Sequence, residues 1–171
     1  MSRSLVVDAS VALKWVVTEP GSEEAAALLD EMAAGEVALL APEHLVGEVA
    51  NGLRKRVAQK VLTVEDACVA LDAIEHLKLT FVGGAGRWFP CLPAALTWGI
   101  TAYDALYVLL ARDFDAVLVT ADERLHTAAT GMPIHLLGHG TAGLRREVSG
   151  EAEGDEQLGV EEVVMPDDPV P

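Results

Sequence analysis

Residues 5–17 read LVVDASVALKWVV. Leu5 to Val7 is a short apolar run of the kind a buried strand uses, and it ends on an acid, Asp8. From Val11 the spacing changes to a helical one, with Val11, Leu13, Lys14 and Trp15 followed by the stop signal Pro20–Gly21. Strand, acid and helix follow one another within a few residues. The same order returns near the other end of the chain, where AVLVTADERLHTAAT at 116–130 predicts a strand over Ala116 to Thr120, an acid at Asp122 and a short helix from Glu123 to Thr130. A strand that feeds a helix and then a further strand is the unit of a parallel sheet with crossover helices.

Between these two stretches the alternation continues. A helix from Ser22, with Glu23 and Glu24 in its first turn and Gly35 as its stop, leads into a strand over Val37 to Leu40. Pro42 is read as opening a third helix that runs to about Gln59, and Thr63 as capping a fourth that runs to about His76; the two form an αα-hairpin. A strand at Leu79 to Val82 precedes a loop through GGAG, Pro90 and Pro93. A short helix at Ala94 to Trp98 and a long one at Ala102 to Phe114 then follow, broken apart by Gly99, and Ile134 to Leu137 is the last strand. The fold class is α/β: a three-layer α/β/α sandwich around a mostly parallel sheet of about five strands, carried by one domain over residues 1–140.

At 171 residues and 51% hydrophobic composition the chain suits a soluble globular domain, and no apolar stretch approaches the ~20 residues that span a bilayer. The opening MSRSLVVDAS lacks the pattern of a signal peptide, which makes a cytoplasmic address the expectation. Cys68 and Cys91 have no metal-ligand spacing and are expected to be reduced, buried small hydrophobes. The five histidines are scattered without a zinc motif.

The net charge of -15 misleads, because eight acids and no basic residue fall within 150–171. Residues 141–171 therefore read as an acidic, disordered tail. One hypothesis is that this tail competes with a polyanionic ligand for a basic surface. Unchanged nucleic-acid affinity at low salt after deletion of residues 150–171 would refute that.

Four acids stand at widely separated points: Asp8, Glu48 in HLVGEVANGL, Asp104 in TAYDALYVLLA and Asp122. Each has a modest explanation of its own. Asp8 and Asp122 could be helix caps, Thr101 and Asp104 are spaced like a capping box, and Glu48 could lie on a solvated helix face. A parallel sheet, however, gathers the turns after its strands along one edge, where α/β folds build their sites. Four carboxylates brought together would call for a hard divalent cation. Glu48, Asn51 and Lys55 share one helix face, and Ser10 and Thr120 lie beside the acids as hydroxyls able to orient them.

At these residues the sequence resembles the PIN-domain family, and within it the VapC-type toxins of toxin–antitoxin pairs. LVVDASVALKWV looks like the family's opening strand with its first acid, GEVANGLRK like its E-x-x-N helix, ITAYDALYVLLAR like its most recognisable motif, and LVTADERL like its final T-x-D segment. The resemblance implies a PIN-like nuclease: an endoribonuclease dependent on Mg²⁺ or Mn²⁺ that leaves 5′-phosphate and 3′-hydroxyl ends. It assigns Asp8, Asp104, Asp122 and Glu48 to metal binding and catalysis, with Glu48 positioning or deprotonating water. It also implies an RNA substrate, a cognate antitoxin bound as a helix in a groove, and a homodimer.

An acidic protein that cuts RNA needs a local basic surface, and Arg54, Lys55, Arg56 and Lys60 supply the candidate, with Arg112 and Arg124 near the other acidic segments. The apolar positions Leu45, Val46, Val49, Leu53, Val57, Leu62, Val69 and Leu71 on the third and fourth helices are core first and partner surface second. Trp15, Trp88 and Trp98 are assigned to the core ahead of an interface. Two other readings stay open: a catalytically silent PIN-like binding module, and phosphoryl transfer through an aspartyl nucleophile, which Ser10 disfavours by standing where the dehalogenase pattern has a second Asp.

Overall fold

Leu5, Val6 and Val7 are wholly enclosed, which is the position of a central strand with helices on both faces. In the computed structural model, which describes residues 3–138, β1 (Arg3–Val7) pairs in parallel with β2 (Val37–Pro42) on one side and β4 (Val117–Thr120) on the other. β3 (Thr80–Val82) extends the sheet beyond β2, and β5 (Ile134–Leu136) extends it beyond β4. The order is β3-β2-β1-β4-β5, every pair parallel. The chain winds outward from β1 to β3 and then crosses back to β4, so the winding reverses between β1 and β4. That reversal opens a crevice beyond the strand ends.

The helices form the outer layers. α1 (Ala9–Val16) packs against α2 (Ser22–Ala33), α3 (Leu45–Ala58) and α4 (Val64–Glu75). α6 (Ala102–Asp113) lies on β1, β2 and β4 and is buried from Ala105 through Ala111, with α5 (Cys91–Trp98) against it. α7 (Glu123–Ala128) joins β4 to β5. The main core contains Leu5, Leu28, Leu39, Leu45, Tyr107 and Leu118, and a smaller one lies between α5 and α6 around Cys91, Ala95, Leu106 and Leu109. No single helix among the described residues is long and apolar enough to cross a membrane.

Several sequence expectations need correction. Pro42 is the last residue of β2, paired with Val82, and α3 begins at Leu45. A strand end tolerates a residue without an N–H as readily as a helix start does, so the proline alone did not discriminate. α5 starts at Cys91, ahead of the expected Ala94, because Pro93 falls in the first turn, where its missing donor has no intrahelical partner to lose. The segment read as loop holds a 3₁₀ turn at Ala85–Trp88. Cys68 is exposed on α4 while Cys91 is buried, and both are free thiols. Val69 is 67% exposed and so lies outside the core face assigned to it. The acidic tail at 141–171 lies outside the described residues.

Candidate active site

Asp8 follows β1 directly and caps α1, accepting hydrogen bonds at Oδ1 from the Ser10 and Val11 amides at 2.9 and 3.1 Å. The Ser10 hydroxyl donates to the same oxygen at 2.5 Å, and the Thr120 hydroxyl donates to Oδ2 at 2.5 Å. Both hydroxyls also accept from the turn after β4: Ala121 N–H reaches Ser10 Oγ at 2.8 Å and Asp122 N–H reaches Thr120 Oγ1 at 3.0 Å. Ser10 and Thr120 thus fasten the β1–α1 turn to the β4–α7 turn across the crevice. Asp8 is only 5% exposed, and burial pushes its carboxyl up to about 6 despite the hydrogen bonds that oppose the rise.

Asp104 and Asp122 are held in a related way. Asp104 completes a capping box with Thr101 at the start of α6, its Oδ2 accepting from the Thr101 hydroxyl at 2.8 Å and the Thr101 amide at 3.3 Å. Asp122 caps α7 through Oδ1, which takes the amides of Arg124 and Leu125 at 2.8 and 3.3 Å. Glu48 sits in the first turn of α3, and the Tyr107 hydroxyl donates to its Oε2 at 2.6 Å, with His44 Nε2 at 3.3 Å from the same oxygen. For these three acids the scaffold's bonds fall on one carboxylate oxygen, which fixes the group while directing the other oxygen elsewhere. Tyr107 is held far above the usual phenol range by burial and by the charges of Glu48, Asp8 and Asp104, so it stays a donor.

All four acids line a single cleft of about 720 Å³, together with Ser10, Asn51, Arg54, Lys55, Tyr103 and Tyr107. Its anionic donors are carboxylate oxygens with no thiolate, and with His44 as the one imidazole in its lining the set suits Mg²⁺ or Mn²⁺ better than zinc. As they stand, no three His, Cys, Asp or Glu side chains among the described residues are close enough to hold one ion together. Holding an ion in this geometry would take bridging waters or a side-chain rotation, and Mg²⁺ is an ion that keeps several of its waters.

A sequence model of the PIN domain matches residues 5–131. The chain belongs to the PIN-domain family. Ribonuclease VapC1 of Mycobacterium tuberculosis, from strains CDC 1551 / Oshkosh and H37Rv alike, is 37% identical over 102 residues, 56% of this chain and 71% of the relative, which places the chain among the VapC-type members. Solved structures share the fold at lower identity. VapC20 of M. tuberculosis, a sarcin–ricin loop cleaving toxin, superposes with TM-score 0.57 at 14% identity, covering 73% of this chain and 95% of that one. VapBC2 of Rickettsia felis, solved on a DNA fragment from its promoter, gives 0.56 at 15% identity, with 78% and 98% covered.

In this PIN domain the cationic residues separate into two groups. Arg54 and Lys55 are exposed and line the cleft. Arg56 turns away: its guanidinium bonds Glu19 at 2.5 Å and the Gly52 carbonyl at 3.3 Å, and Lys14 reaches Glu19 from the other side at 3.1 Å. Burial works to raise the Glu19 carboxyl, but Arg56 and Lys14 outweigh it and hold it below the ordinary range. Arg56 is therefore a structural cation outside the cleft lining. Lys60 stands past the end of α3 with φ 62° and also lies outside that lining.

Tyr107 and His44 are the residues that sequence reading missed. Tyr107 lies three positions after Asp104 on one helix, so it shares that acid's face, and this spacing was the available signal. His44 carried only its i, i+4 spacing to Glu48, because its ring partners come from two other segments, the 3₁₀ turn with Trp88 and α6 with Tyr103 and Tyr107. Trp15 donates its indole N–H to the Ala25 carbonyl at 2.8 Å and packs on the core with Trp98, whereas Trp88 stays outside both cores.

Proposed function

We propose that this PIN domain is a Mg²⁺- or Mn²⁺-dependent endoribonuclease and the toxin of a toxin–antitoxin pair, working in the cytoplasm as a homodimer restrained by a cognate antitoxin. The observation that carries the reading is the convergence of four carboxylates from four separate segments on one cleft, with two cations on its rim. A silent binding module has no use for four acids held in one cleft by caps, hydroxyls and a buried phenol. The VapC1 relatives are named ribonucleases, and VapC20 is titled a sarcin–ricin loop cleaving toxin, which supports the substrate class and the toxin reading.

Asp8, Asp104 and Asp122 would hold the cation directly or through water, with Glu48 completing the set. When bound, the cation offsets charge developing on the phosphate and makes water more acidic. Glu48, fixed through Oε2 by Tyr107, takes a proton from the attacking water at Oε1. Arg54 and Lys55 bind the flanking phosphates, and Asn51 offers an amide N–H on the same helix face. Cleavage leaves a 5′-phosphate and a 3′-hydroxyl.

The test is RNA cleavage by the native chain, Asp8→Asn and Asp104→Asn, each with Mg²⁺ or Mn²⁺ and with a chelator. The native chain should cut only with metal, and each variant should lose on the order of 100-fold or more, the scale of removing a group that stabilises developing charge. Cleavage that survives both substitutions would sink the mechanism.

A further inference from the structure

At the margin of the cleft lies an aromatic pair whose exposure packing does not explain. Tyr103, next to Asp104, is 52% exposed, and Trp88, at the end of the 3₁₀ turn, is 38% exposed. Neither ring joins either apolar core. The two meet edge to face, with centroids 5.3 Å apart and planes at 84°. His44 supports both, its ring 5.4 Å from Trp88 and 5.2 Å from Tyr103, while its Nε2 faces Glu48 at 3.3 Å. A base lying flat on one ring would meet the other end-on, so the corner is shaped for one flat ring.

The cleft therefore has the exposed Tyr103 of α6, the exposed cations of α3 and the four acids in its lining, and Trp88 of the 3₁₀ turn packs against Tyr103 from an adjoining pocket that shares His44. A nucleic-acid strand has the matching division, with phosphates on one side and bases on the other. We propose that Trp88 and Tyr103, braced by His44, are the residues that stack an unpaired base of the RNA adjacent to the scissile phosphate. In an A-form duplex the bases are stacked inside the helix and cannot lie on a protein ring. Stacking is tolerant of base identity, so the platform selects for strandedness before sequence. The proposal rests on the nuclease reading of the same cleft.

The full-length chain tests it, mixed in a stopped flow with Mg²⁺ and a short single-stranded RNA of mixed sequence while tryptophan fluorescence is followed before turnover. Trp15 and Trp98 pack on the core, so a quench reports Trp88. The native chain should show a quench, and a duplex of the same sequence should show none. Trp88→Ala and Tyr103→Ala should each raise KM for cleavage roughly 5- to 150-fold, with the smaller effect on kcat. Trp88→Phe should abolish the quench yet keep KM near native, which separates lost stacking from a damaged fold.

An unchanged KM in Trp88→Ala, an equal quench by duplex, or no quench in the native chain would each overturn the platform. If the same variants lost a protein partner while RNA affinity stayed native, the rings would belong to a protein interface and the proposal would be wrong. A native chain that is quenched by single strands but cuts no RNA would refute the nuclease reading and leave the platform standing. A chain that cuts RNA with KM insensitive to both rings would do the reverse.

Discussion

Asp8 carries a cost that its position makes calculable. Its folded carboxyl titrates near 6 against an ordinary value of 3.8, because burial disfavours the charged form. Between those values the unfolded chain has lost the proton and the folded chain keeps it. Stability therefore falls as pH rises from about 4 to about 6, and above that window the ionised group costs up to about 3 kcal/mol. Asp8→Asn should then raise the melting temperature of the metal-free protein at pH 7.5, with a smaller gain at pH 4.5; calorimetry in chelator checks this, and an equal gain at both would refute it. Tyr107→Phe makes a second case, since it leaves Glu48 without its donor. It should lower kcat about 10-fold with little change in KM and cost about 1 kcal/mol in denaturant unfolding. The acids were legible in the sequence because charge beside apolar runs stands out. Tyr107 and the sequestered Arg56 were not, since an aromatic in a buried helix reads as core and Glu19 is 37 residues from its partner.

At the scale of elements, the modest explanation and the functional one for three of the acids describe the same side chains. Asp8 and Asp122 are the N-caps of α1 and α7, and Asp104 is the N3 member of a capping box on α6. A cap uses one oxygen and sets the direction of the other, so helix initiation positions the site. Thr101→Ala tests this: it should cost about 1 kcal/mol of stability and also reduce cleavage, because Asp104 Oδ2 loses the hydroxyl at 2.8 Å. Thr101→Ser should restore both, and activity left intact by Thr101→Ala would separate capping from the chemistry. The elements themselves were legible from alternating period, with errors confined to ends. Pro42 and Pro93 misled because proline is compatible with a strand end, a loop and a helix's first turn, and only the tertiary pairing of Pro42 with Val82 decides the first case.

For the whole molecule the issue is how a chain of net charge -15 binds a polyanion. The arrangement of charge decides it: Arg54 and Lys55 stand on the cleft, whereas Arg56 is neutralised by Glu19. Arg54→Glu with Lys55→Glu should weaken RNA binding and flatten its dependence on salt by roughly 0.7 log units of affinity per log unit of salt for each phosphate that is no longer neutralised. Filter binding between ~50 and ~200 mM salt reads this, and an unaltered slope would remove the rim from the account. Arg56→Glu should instead show up as lower thermal stability. The three-layer fold and its sheet edge were legible from the sequence, but the free or committed state of each cation was not, because that depends on which loop folds beside it. The sheet has one more consequence. All its strands run the same way, so Arg3 enters at the edge remote from the cleft, while Leu137, whose amide bonds the Thr120 carbonyl at 2.7 Å, leaves beside Asp8's partner. A purification tag or fluorescent fusion joined directly before Arg3 would thus start a sheet's length from the chemistry, and one joined just after Leu137 would emerge at the cleft's own edge.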